Sequence, residues 1–163
     1  MRNYKFILFA VILSLLFSAC LKHHSSASLS VCNESGEDLW IESFIVSDYS
    51  DSTKSFLLRD GNTQLIAISK QSKVENYAEL SLESCVFNND AHVRVYTIDS
   101  LGMRSLIQTW YFANRHNDGR ELFNETNIEK STHSNAAGDV VVSYLFTFLP
   151  EDIAGTTKNM KNN

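Results

Sequence analysis

The sequence predicts an all-β fold, an antiparallel β-sandwich of about seven or eight short strands. Two observations lead to this prediction. Apolar residues recur at every second position along most runs between residues 29 and 149, and turn-forming Gly, Asn and Asp residues separate those runs at regular spacing. No internal repeat is visible, which argues against a propeller or a solenoid. The length of 163 residues suits one domain with a proper core, predicted at residues 29–152.

The first two predicted strands lie on either side of a turn at residues 34–38. Leu29 and Val31 alternate with serines, which is the period-two pattern of a strand. In the second run, residues 39–47, residue types again alternate along the strand. We expect three of its side chains to face inward: Trp40, Phe44 and Val46.

The dipeptide Asp60-Gly61 predicts a β-hairpin between the runs 56–58 and 64–69. Asp-Gly is a strong local hairpin signal because both central positions of a tight hairpin turn need a positive φ.

Three further strands are predicted at residues 78–87, 92–98 and 104–113. The candidate inward side chains of the first are Leu80, Leu82 and Val86. In the second, alternation places Val93 and Val95 on one side and Arg94 and Tyr96 on the other. The third also fits a helical stripe, but its content of Ile, Thr, Trp, Tyr and Phe favours a strand.

The last strong apolar run, residues 140–149, stops at Pro150. It is apolar at nearly every position, which predicts a central strand covered from both sides. Residues 114–137 are polar and irregular, with one helical turn expected around 122–128, and residues 153–163 are expected to form a frayed polar tail.

The first twenty residues have the three parts of a secretory signal peptide: two basic residues, an apolar run at 6–17, and small residues before Cys20. The run is shorter than the about 20 apolar residues that span a bilayer. This end of the chain resembles the lipobox of bacterial lipoproteins. The resemblance implies that residues 1–19 are removed and that Cys20 becomes the lipidated first residue. The alternative is ordinary secretion with Cys20 as a plain thiol.

Residues 20–28 are predicted to be the lipidated cysteine followed by a flexible, serine-rich spacer, because this composition cannot bury enough surface to fold. The lipid implies attachment to the bacterial outer membrane, with the periplasmic or the surface leaflet left open.

Charge narrows the range of partners. Two of the 14 basic residues and none of the 19 acidic ones lie in the first 19 residues, which leaves 12 basic against 19 acidic residues after cleavage. No cluster of Lys and Arg exists that could follow a phosphate backbone, so nucleic acid is not an expected ligand.

Two cysteines remain beside Cys20. Cys32 and Cys85 form an even pair in an oxidising compartment, and a disulfide between them would stabilise the fold by roughly 4 kcal/mol. The alternative is two buried thiols that pack as small apolar side chains.

No catalytic set stands out. None of the serines lies in a strand-to-helix elbow, the histidines fall mostly in polar stretches, and neither remaining cysteine belongs to a Cys-x-x-Cys motif. The loop at 48–55 is rich in oxygen ligands but does not fit the EF-hand calcium template. We therefore expect no enzyme activity, no cofactor and no metal site.

Two short motifs suggest glycan attachment. Asp51-Ser52-Thr53 and Asp99-Ser100-Leu101 resemble the pattern of periplasmic O-glycosylation in Bacteroides-type bacteria, which makes Ser52 and Ser100 candidate sites. The sequon that begins at Asn33 is set aside because a lipobox indicates a bacterium.

Flat aromatic side chains are candidates for a platform on which sugars stack: Trp40, Tyr96, Trp110 and Tyr111. The alternative, that they fill the core of the sandwich, is preferred because aromatic residues on sandwich strands usually do so.

Three features resemble the small lipoproteins of Bacteroidota: the signal with its cysteine, the opening strand 31–40 with its Asn-x-Ser-x-x-Asp motif, and the closing strand 144–152. That group carries no agreed activity. The resemblance implies a sandwich of immunoglobulin-like or transthyretin-like kind held at the envelope by its lipid.

The leading functional hypothesis is a non-enzymatic, lipid-anchored module that binds a protein or glycan partner through loops, chiefly 48–55 and 114–137. A fimbrial or other envelope assembly component is the first alternative, with strand exchange through 114–137 and the last strand. A small periplasmic hydrolase is the second.

Overall fold

The structure is a computed structural model, and it describes residues 24–46, 54–72, 80–86, 88–115, 119–136 and 138–154. Two four-stranded sheets pack against each other, so the predicted all-β sandwich is confirmed. The predicted signal peptide, Cys20, residues 48–53 of the predicted loop and most of the predicted tail lie outside the described residues.

The first sheet, sheet A, has the strand order β4-β1-β8-β7. Its strands are β1 (His24–Asn33), β4 (Thr63–Ser72), β7 (Glu129–Ser134) and β8 (Val140–Phe148). The pairs β1/β4 and β7/β8 are antiparallel, but β1 and β8 run parallel. The expectation of a wholly antiparallel sandwich is therefore wrong for this one pair.

The second sheet, sheet B, has the strand order β3-β2-β5-β6, and every pair in it is antiparallel. Its strands are β2 (Leu39–Ser43), β3 (Lys54–Leu58), β5 (His92–Ile98) and β6 (Arg104–Tyr111). The predicted strands at 92–98 and 104–113 are thus confirmed, and the side on which alternation places Val93 and Val95 is the buried one.

The core lies between the two sheets and is built by period-two alternation. In β8 every second residue from Val140 to Phe148 is buried, and the residues between them are not. Aromatic rings join the sheets, because Trp110 of β6 packs edge-to-face on Phe146 of β8 with ring centroids 5.4 Å apart. Each large apolar side chain that such packing removes from water contributes about 1.5–3 kcal/mol.

The opening strand starts earlier than predicted. β1 begins at His24, so the second half of the predicted spacer 20–28 belongs to the sheet. The alternation continues through the serine-rich stretch, with Ala27 fully buried and Ser28 facing outward, where its hydroxyl donates to that of Ser143. The small hydroxyl side chains of this stretch give no clear apolar pattern, so the sequence did not indicate a strand here. Backbone pairing with β4 and β8 stabilises it.

The Asp60-Gly61 turn is present, but it does not make a hairpin. It carries the chain from β3 of sheet B to β4 of sheet A. Gly61 has the positive φ that the dipeptide predicts, at 75°, and its N–H donates to the carbonyl oxygen of Asn33. The turn is therefore held by β1 and not by a β3/β4 ladder.

Asn33 links the two turns at this end of the sandwich. Its Nδ2 donates to the carbonyl oxygen of Glu37 at 2.8 Å and its Oδ1 accepts from the backbone N–H of Ser35 at 3.1 Å. Across the turns, Asp38 accepts from the N–H of Asp60 and Asp60 accepts from the N–H of Gly36. The Asn-x-Ser-x-x-Asp motif is thus a set of structural hydrogen bonds.

The strand predicted at 78–87 is wrong for its described part. Residues Leu82–Cys85 form a 3₁₀ turn instead. The expected inward side chains Leu80, Leu82 and Val86 are nevertheless buried. The hydroxyl of Tyr144 donates to the carbonyl oxygen of Leu80 at 2.6 Å, which fixes this segment over the core face of sheet A.

The polar stretch 114–137 contains a strand that the sequence did not reveal. All six residues of β7 are exposed, and β7 is an edge strand that pairs with β8 alone. The helical turn expected around 122–128 is present as a 3₁₀ turn at Glu125–Asn127. After β8 the chain forms a short helix, α1 (Pro150–Ala154), so the first two residues of the tail expected at 153–163 are helical.

The strand β8 is central, as predicted, but it is not covered on both sides. Its inward residues are buried, whereas Val141 on the other face is 39% exposed. The apolar side chains on both faces therefore do not indicate a third layer over the described part of sheet A.

Candidate interaction surface

The outer face of sheet B is where the structure departs most usefully from the sequence prediction. Leu39 and Ile41 are fully buried, so the alternating residues Trp40 and Phe44 point away from the core. The predicted inward phase of β2 is therefore wrong, and Val46 is exposed as well. Both sets of alternating residues in this run contain large apolar side chains, so alternation alone could not show which set faces the core.

The strand register brings outward side chains of β2, β5 and β6 into rows. Trp40 lies opposite Tyr96, Tyr96 lies opposite Leu106, and His92 lies opposite Tyr111. We call the whole set the aromatic face: Trp40, Glu42, Phe44, His92, Arg94, Tyr96, Arg104, Leu106 and Tyr111.

One row of the aromatic face is a stack of three rings. Phe44 and His92 are 4.3 Å apart between ring centroids and inclined by 10°, and His92 and Tyr111 are 5.4 Å apart and inclined by 28°. The His92 Nδ1 hydrogen bonds to the carbonyl oxygen of Asp90 at 2.9 Å, so that nitrogen carries the hydrogen. The stack holds the histidine ring upright between its neighbours.

Two arginines lie on aromatic rings of the same face. The Cζ atom of Arg104 is 3.4 Å from the centroid of the Trp40 ring, and that of Arg94 is 5.0 Å from the centroid of Phe44. Such cation–π contacts contribute about 0.5–1 kcal/mol at exposed sites. They also orient both guanidinium groups, whose side chains would otherwise sample many rotamers.

The centre of the aromatic face is polar. The hydroxyl of Tyr96 donates to a carboxylate oxygen of Glu42 at 2.8 Å. Burial raises the pKa of the Tyr96 hydroxyl, the Glu42 carboxylate raises it further, and Arg94 acts in the opposite direction. The Glu42 carboxylate therefore already accepts a hydrogen bond within the aromatic face.

An apolar rim borders the aromatic face. Leu57 of β3 pairs with Trp40, and it is exposed. At the β5–β6 turn, Leu101 is 87% exposed and Met103 is also exposed. Single exposed apolar residues are common on soluble proteins, but a group of them beside an aromatic row is typical of a surface that meets a partner.

The predicted ligand aromatics divide into two groups. Trp110 is buried and packs on Phe146 and Phe148, so it fills the core. Trp40, Tyr96 and Tyr111 lie on the aromatic face, and Tyr111 is 46% exposed. Ring faces there are already occupied, since Arg104 covers Trp40 and Tyr111 stacks on His92. Each of these contacts covers one face of its ring, which leaves less ring surface for sugar stacking.

The predicted disulfide is not present: Cys32 and Cys85 are both free and buried. Val31 points into the core, so Cys32 on the next position points to the other face of sheet A. Cys85 lies on the core side near Tyr144, whose pKa is raised mainly by burial and also by the charges of Glu125 and Cys85. The sheet itself therefore separates the two sulfur atoms.

Cys32 lines a small cleft of about 290 Å³ together with Glu34, Arg120 and Glu129. Arg120 is already paired: its Nε donates to both carboxylate oxygens of Asp152 at 2.8 and 3.0 Å, and its terminal nitrogen donates to the carbonyl oxygen of Thr147. The cleft is polar, and the Arg120 guanidinium in it holds α1 in place through Asp152.

The remaining predicted sites are located as follows. Ser100 is exposed in the β5–β6 turn, in which the Asp99 carboxylate accepts from the backbone N–H groups of Leu101 and Met103. Ser52 and Cys20 lie outside the described residues. Within the described ranges, no group of three or more His, Cys, Asp and Glu side chains is arranged to hold a metal ion. No helix in this part of the chain is long and apolar enough to cross a membrane.

Comparisons with known proteins add little. Neither the protein-family models nor the curated protein sequences give a match. Among solved structures, catechol 1,2-dioxygenase from Acinetobacter sp. ADP1, inhibited by bound mercury, matches with a TM-score of 0.31 and 8% identity. The match covers 78% of this chain and 52% of that one, so the chain spans about half the length of the dioxygenase. A likeness this weak carries no argument.

Proposed function

We propose that this protein is a non-enzymatic, lipid-anchored module of the bacterial cell envelope that binds a protein partner through the aromatic face. Cys20 would carry the lipid, and the outer membrane would be the site of attachment. The observation that carries the proposal is the outward position of Trp40, Phe44 and Tyr111, because a sandwich that needed these rings only for stability would bury them.

The composition of the aromatic face supports a protein partner. Trp, Tyr and Arg are the residues that most often dominate the binding energy of protein–protein interfaces. Here they are held by contacts with one another, as in the Phe44–His92–Tyr111 stack and the Arg104–Trp40 pair. Side chains that are ordered before binding lose less conformational entropy when a partner arrives.

A protein partner is a better fit than a neutral glycan. Sugar recognition by aromatic residues needs an open ring face, and the guanidinium of Arg104 lies on Trp40. Recognition through the described parts of the predicted loop 114–137 is also less well supported, because residues 129–134 of it form the edge strand β7.

The assembly alternative has less support than the binding module. Exchange of the last strand with a neighbouring subunit would require β8 to leave the sheet, yet β8 pairs with β1 on one side and β7 on the other. A size measurement on the full chain in detergent separates the two, since an assembly subunit should form polymers.

The binding role can be tested by photo-crosslinking in envelopes of the native host. A photoreactive group placed at Leu106 in the aromatic face should yield a specific crosslinked protein. The same group at Val141, which is exposed on the outer face of sheet A, is the matched control. Tyr111→Ala should reduce the Leu106 crosslink about tenfold, as expected for an interface anchor. Equal crosslinking from both positions, unaffected by Tyr111→Ala, would contradict the proposal.

The anchoring role has its own test. Host cells grown with labelled palmitate should incorporate label into the protein, and Cys20→Ser should abolish it. Absence of label in the unaltered chain would remove the lipid anchor without affecting the binding role of the aromatic face.

A further inference from the structure

Resting on the proposed binding role, we infer that the aromatic face takes an extended, acidic segment of its protein partner. Two carboxylates of that segment, four residues apart, pair with Arg94 and Arg104. The inference starts from a difference among the arginines. All four of these arginines lie over aromatic rings, but only Arg115 and Arg120 also form a salt bridge with a carboxylate, each at 2.8 Å. Arg94 and Arg104 form no salt bridge with any described residue.

The two guanidinium groups are ready to receive carboxylates. A guanidinium group that lies over a ring can still donate hydrogen bonds from its edge. Arg94 uses part of this capacity on Tyr96, which leaves its other N–H groups and those of Arg104 as donors for a partner. A planar guanidinium binds a carboxylate through two parallel hydrogen bonds, which are stronger than bonds between neutral groups. The protein as a whole is acidic, with a formal net charge of −5, so two cations beside one carboxylate distinguish this face.

Glu42 is the one acidic side chain of the aromatic face, and it explains why Arg94 and Arg104 remain available. Its carboxylate accepts the Tyr96 hydroxyl at 2.8 Å and forms no salt bridge with Arg94, although the two residues are directly opposite on β2 and β5. Asp99, beside the β5–β6 turn, is likewise occupied by backbone N–H groups.

The spacing of the cations sets the spacing of the acids. The arginines lie on the rings of Trp40 in β2 and of Phe44, the residue that follows β2, and these two residues are four positions apart in one outward row. In an extended chain this corresponds to about 13 Å along the backbone. In an extended partner segment, residues i and i+4 are also separated by about 13 Å and point to the same side. A helix would need about nine residues to cover that distance.

The centre of the aromatic face sets a second requirement. The residue midway between the two acids would lie over the Glu42–Tyr96 pair, where a third carboxylate would be repelled by Glu42. The expected pattern is therefore acid, any residue, a neutral hydrogen-bonding residue, any residue, acid. This is more specific than general attraction between opposite charges.

The test measures the binding of fluorescein-labelled synthetic peptides to the full-length chain in detergent micelles by fluorescence polarisation. The probe has the core Glu-Thr-Ser-Thr-Glu between Gly-Ser pairs. A peptide of identical composition with adjacent acids, Glu-Glu-Ser-Thr-Thr, is the matched control, and Glu-Thr-Glu-Thr-Glu tests the repulsion at the centre. We expect the spaced probe to bind about tenfold more tightly than either of the other two.

Variants of the protein test the role of each cation. Arg94→Gln and Arg104→Gln should each weaken probe binding about tenfold, while Arg59→Gln, which removes an exposed charge at the turn after β3, should leave it unchanged. Arg104→Lys keeps the charge without the planar fork and should bind with intermediate affinity. Equal weakening by all three Gln variants would show a general charge effect and overturn the inference.

The outcomes distinguish this inference from the proposed function. If the spaced probe does not bind at up to about 1 mM while the Leu106 crosslink still depends on Tyr111, the face binds a protein but not an acidic segment. If neither is observed, both proposals fail. Binding of polygalacturonate with the same dependence on arginine, but of no peptide, would overturn the inference in favour of an acidic glycan.

Discussion

The side-chain amide of Asn33 donates a hydrogen bond of 3.0 Å to the carbonyl oxygen of Leu58, and this bond joins the last residue of β1 in sheet A to the last residue of β3 in sheet B. Asn33 is fully buried, and the same Nδ2 also donates to Glu37. Asn33, the first residue of a glycosylation sequon, is therefore part of the connection between the two sheets.

Asn33→Asp should lower the free energy of unfolding by about 3 kcal/mol or more. The side chain keeps its size, but the buried carbonyl oxygen of Leu58 and the partly buried one of Glu37 lose their donor and face a negative charge instead. Urea unfolding followed by circular dichroism measures the change. Asn62→Ala, in the exposed turn after Gly61, is the control and should cost less than about 0.5 kcal/mol. Similar costs for the two variants would contradict the role assigned to Asn33.

The two described salt bridges should differ in their contributions to stability. The Asp152 side chain is 6% exposed and accepts from Arg120 and from the N–H of Leu149, whereas the Glu83 side chain is 54% exposed and pairs with Arg115 alone. Asp152→Ala should lower the free energy of unfolding by about 2–3 kcal/mol, and Glu83→Ala by less than about 1 kcal/mol. The same urea experiment compares them. An effect of Glu83→Ala as large as that of Asp152→Ala would refute this ranking.

Thiol titration checks the cysteine assignment. Unfolding the Cys20→Ser chain in guanidinium without a reductant should expose two free thiols, Cys32 and Cys85. A chain with a disulfide would expose none. In the folded protein, Cys85 should resist iodoacetamide at pH 8, because it is fully buried and burial raises the pKa of its thiol to about 12. Peptide mass spectrometry locates the label, and rapid labelling of folded Cys85 would be the contrary result.

Stability should fall in alkaline solution, because the folded state holds two protons that the unfolded chain releases. Burial raises the pKa of Cys85 from 9.0 to about 12 and that of Tyr144 from 10.0 to about 12. The stabilisation is complete below pH 9 and is lost as the pH rises towards 12. The free energy of unfolding should fall by about 1.4 kcal/mol per pH unit from pH 9, and about twice as steeply once Tyr144 contributes above pH 10.

Variants isolate these two groups from other titrations. Urea unfolding at pH 8, 9, 10 and 11 should show a shallower decline for Cys85→Ala from pH 9 and for Tyr144→Phe from pH 10. Both variants start from a lower stability at pH 8, so the slopes, and not the absolute values, are compared. Slopes identical to that of the unaltered protein would exclude Cys85 and Tyr144 as the cause.

The fold class could be predicted because the inward positions of most strands follow simple alternation, as Leu29, Val31, Val93 and Val95 show. Pairing could not be predicted with the same certainty. Asp60-Gly61 specifies a local turn, but whether the flanking strands pair depends on distant partners, here Asn33 and Leu58. The strand β7 was missed because no residue in it is buried, so no apolar pattern marks it.

The candidate site was only partly predictable, for a related reason. Trp40 and Phe44 share an apolar run with Leu39, Ile41 and Ile45, so the run reads equally well with either set inside. The structure chooses the aliphatic set for the core and leaves the aromatic set outside. The arginine contacts came from another strand altogether, since Arg104 of β6 reaches Trp40 of β2 across β5.

The parallel pairing of β1 with β8 has a consequence for the order in which the protein can be assembled. The partners in that ladder are 115 residues apart at Ser28 and Ser143, whereas sheet B is complete once Tyr111 has been synthesised. Contacts between such distant residues are costly to form early, so we expect the second half of folding to await the carboxyl-terminal strand. A chain that ended before Val140 would lack β8. The edge of β1 that pairs with β8 would then have unpaired backbone groups, which favour aggregation with other chains.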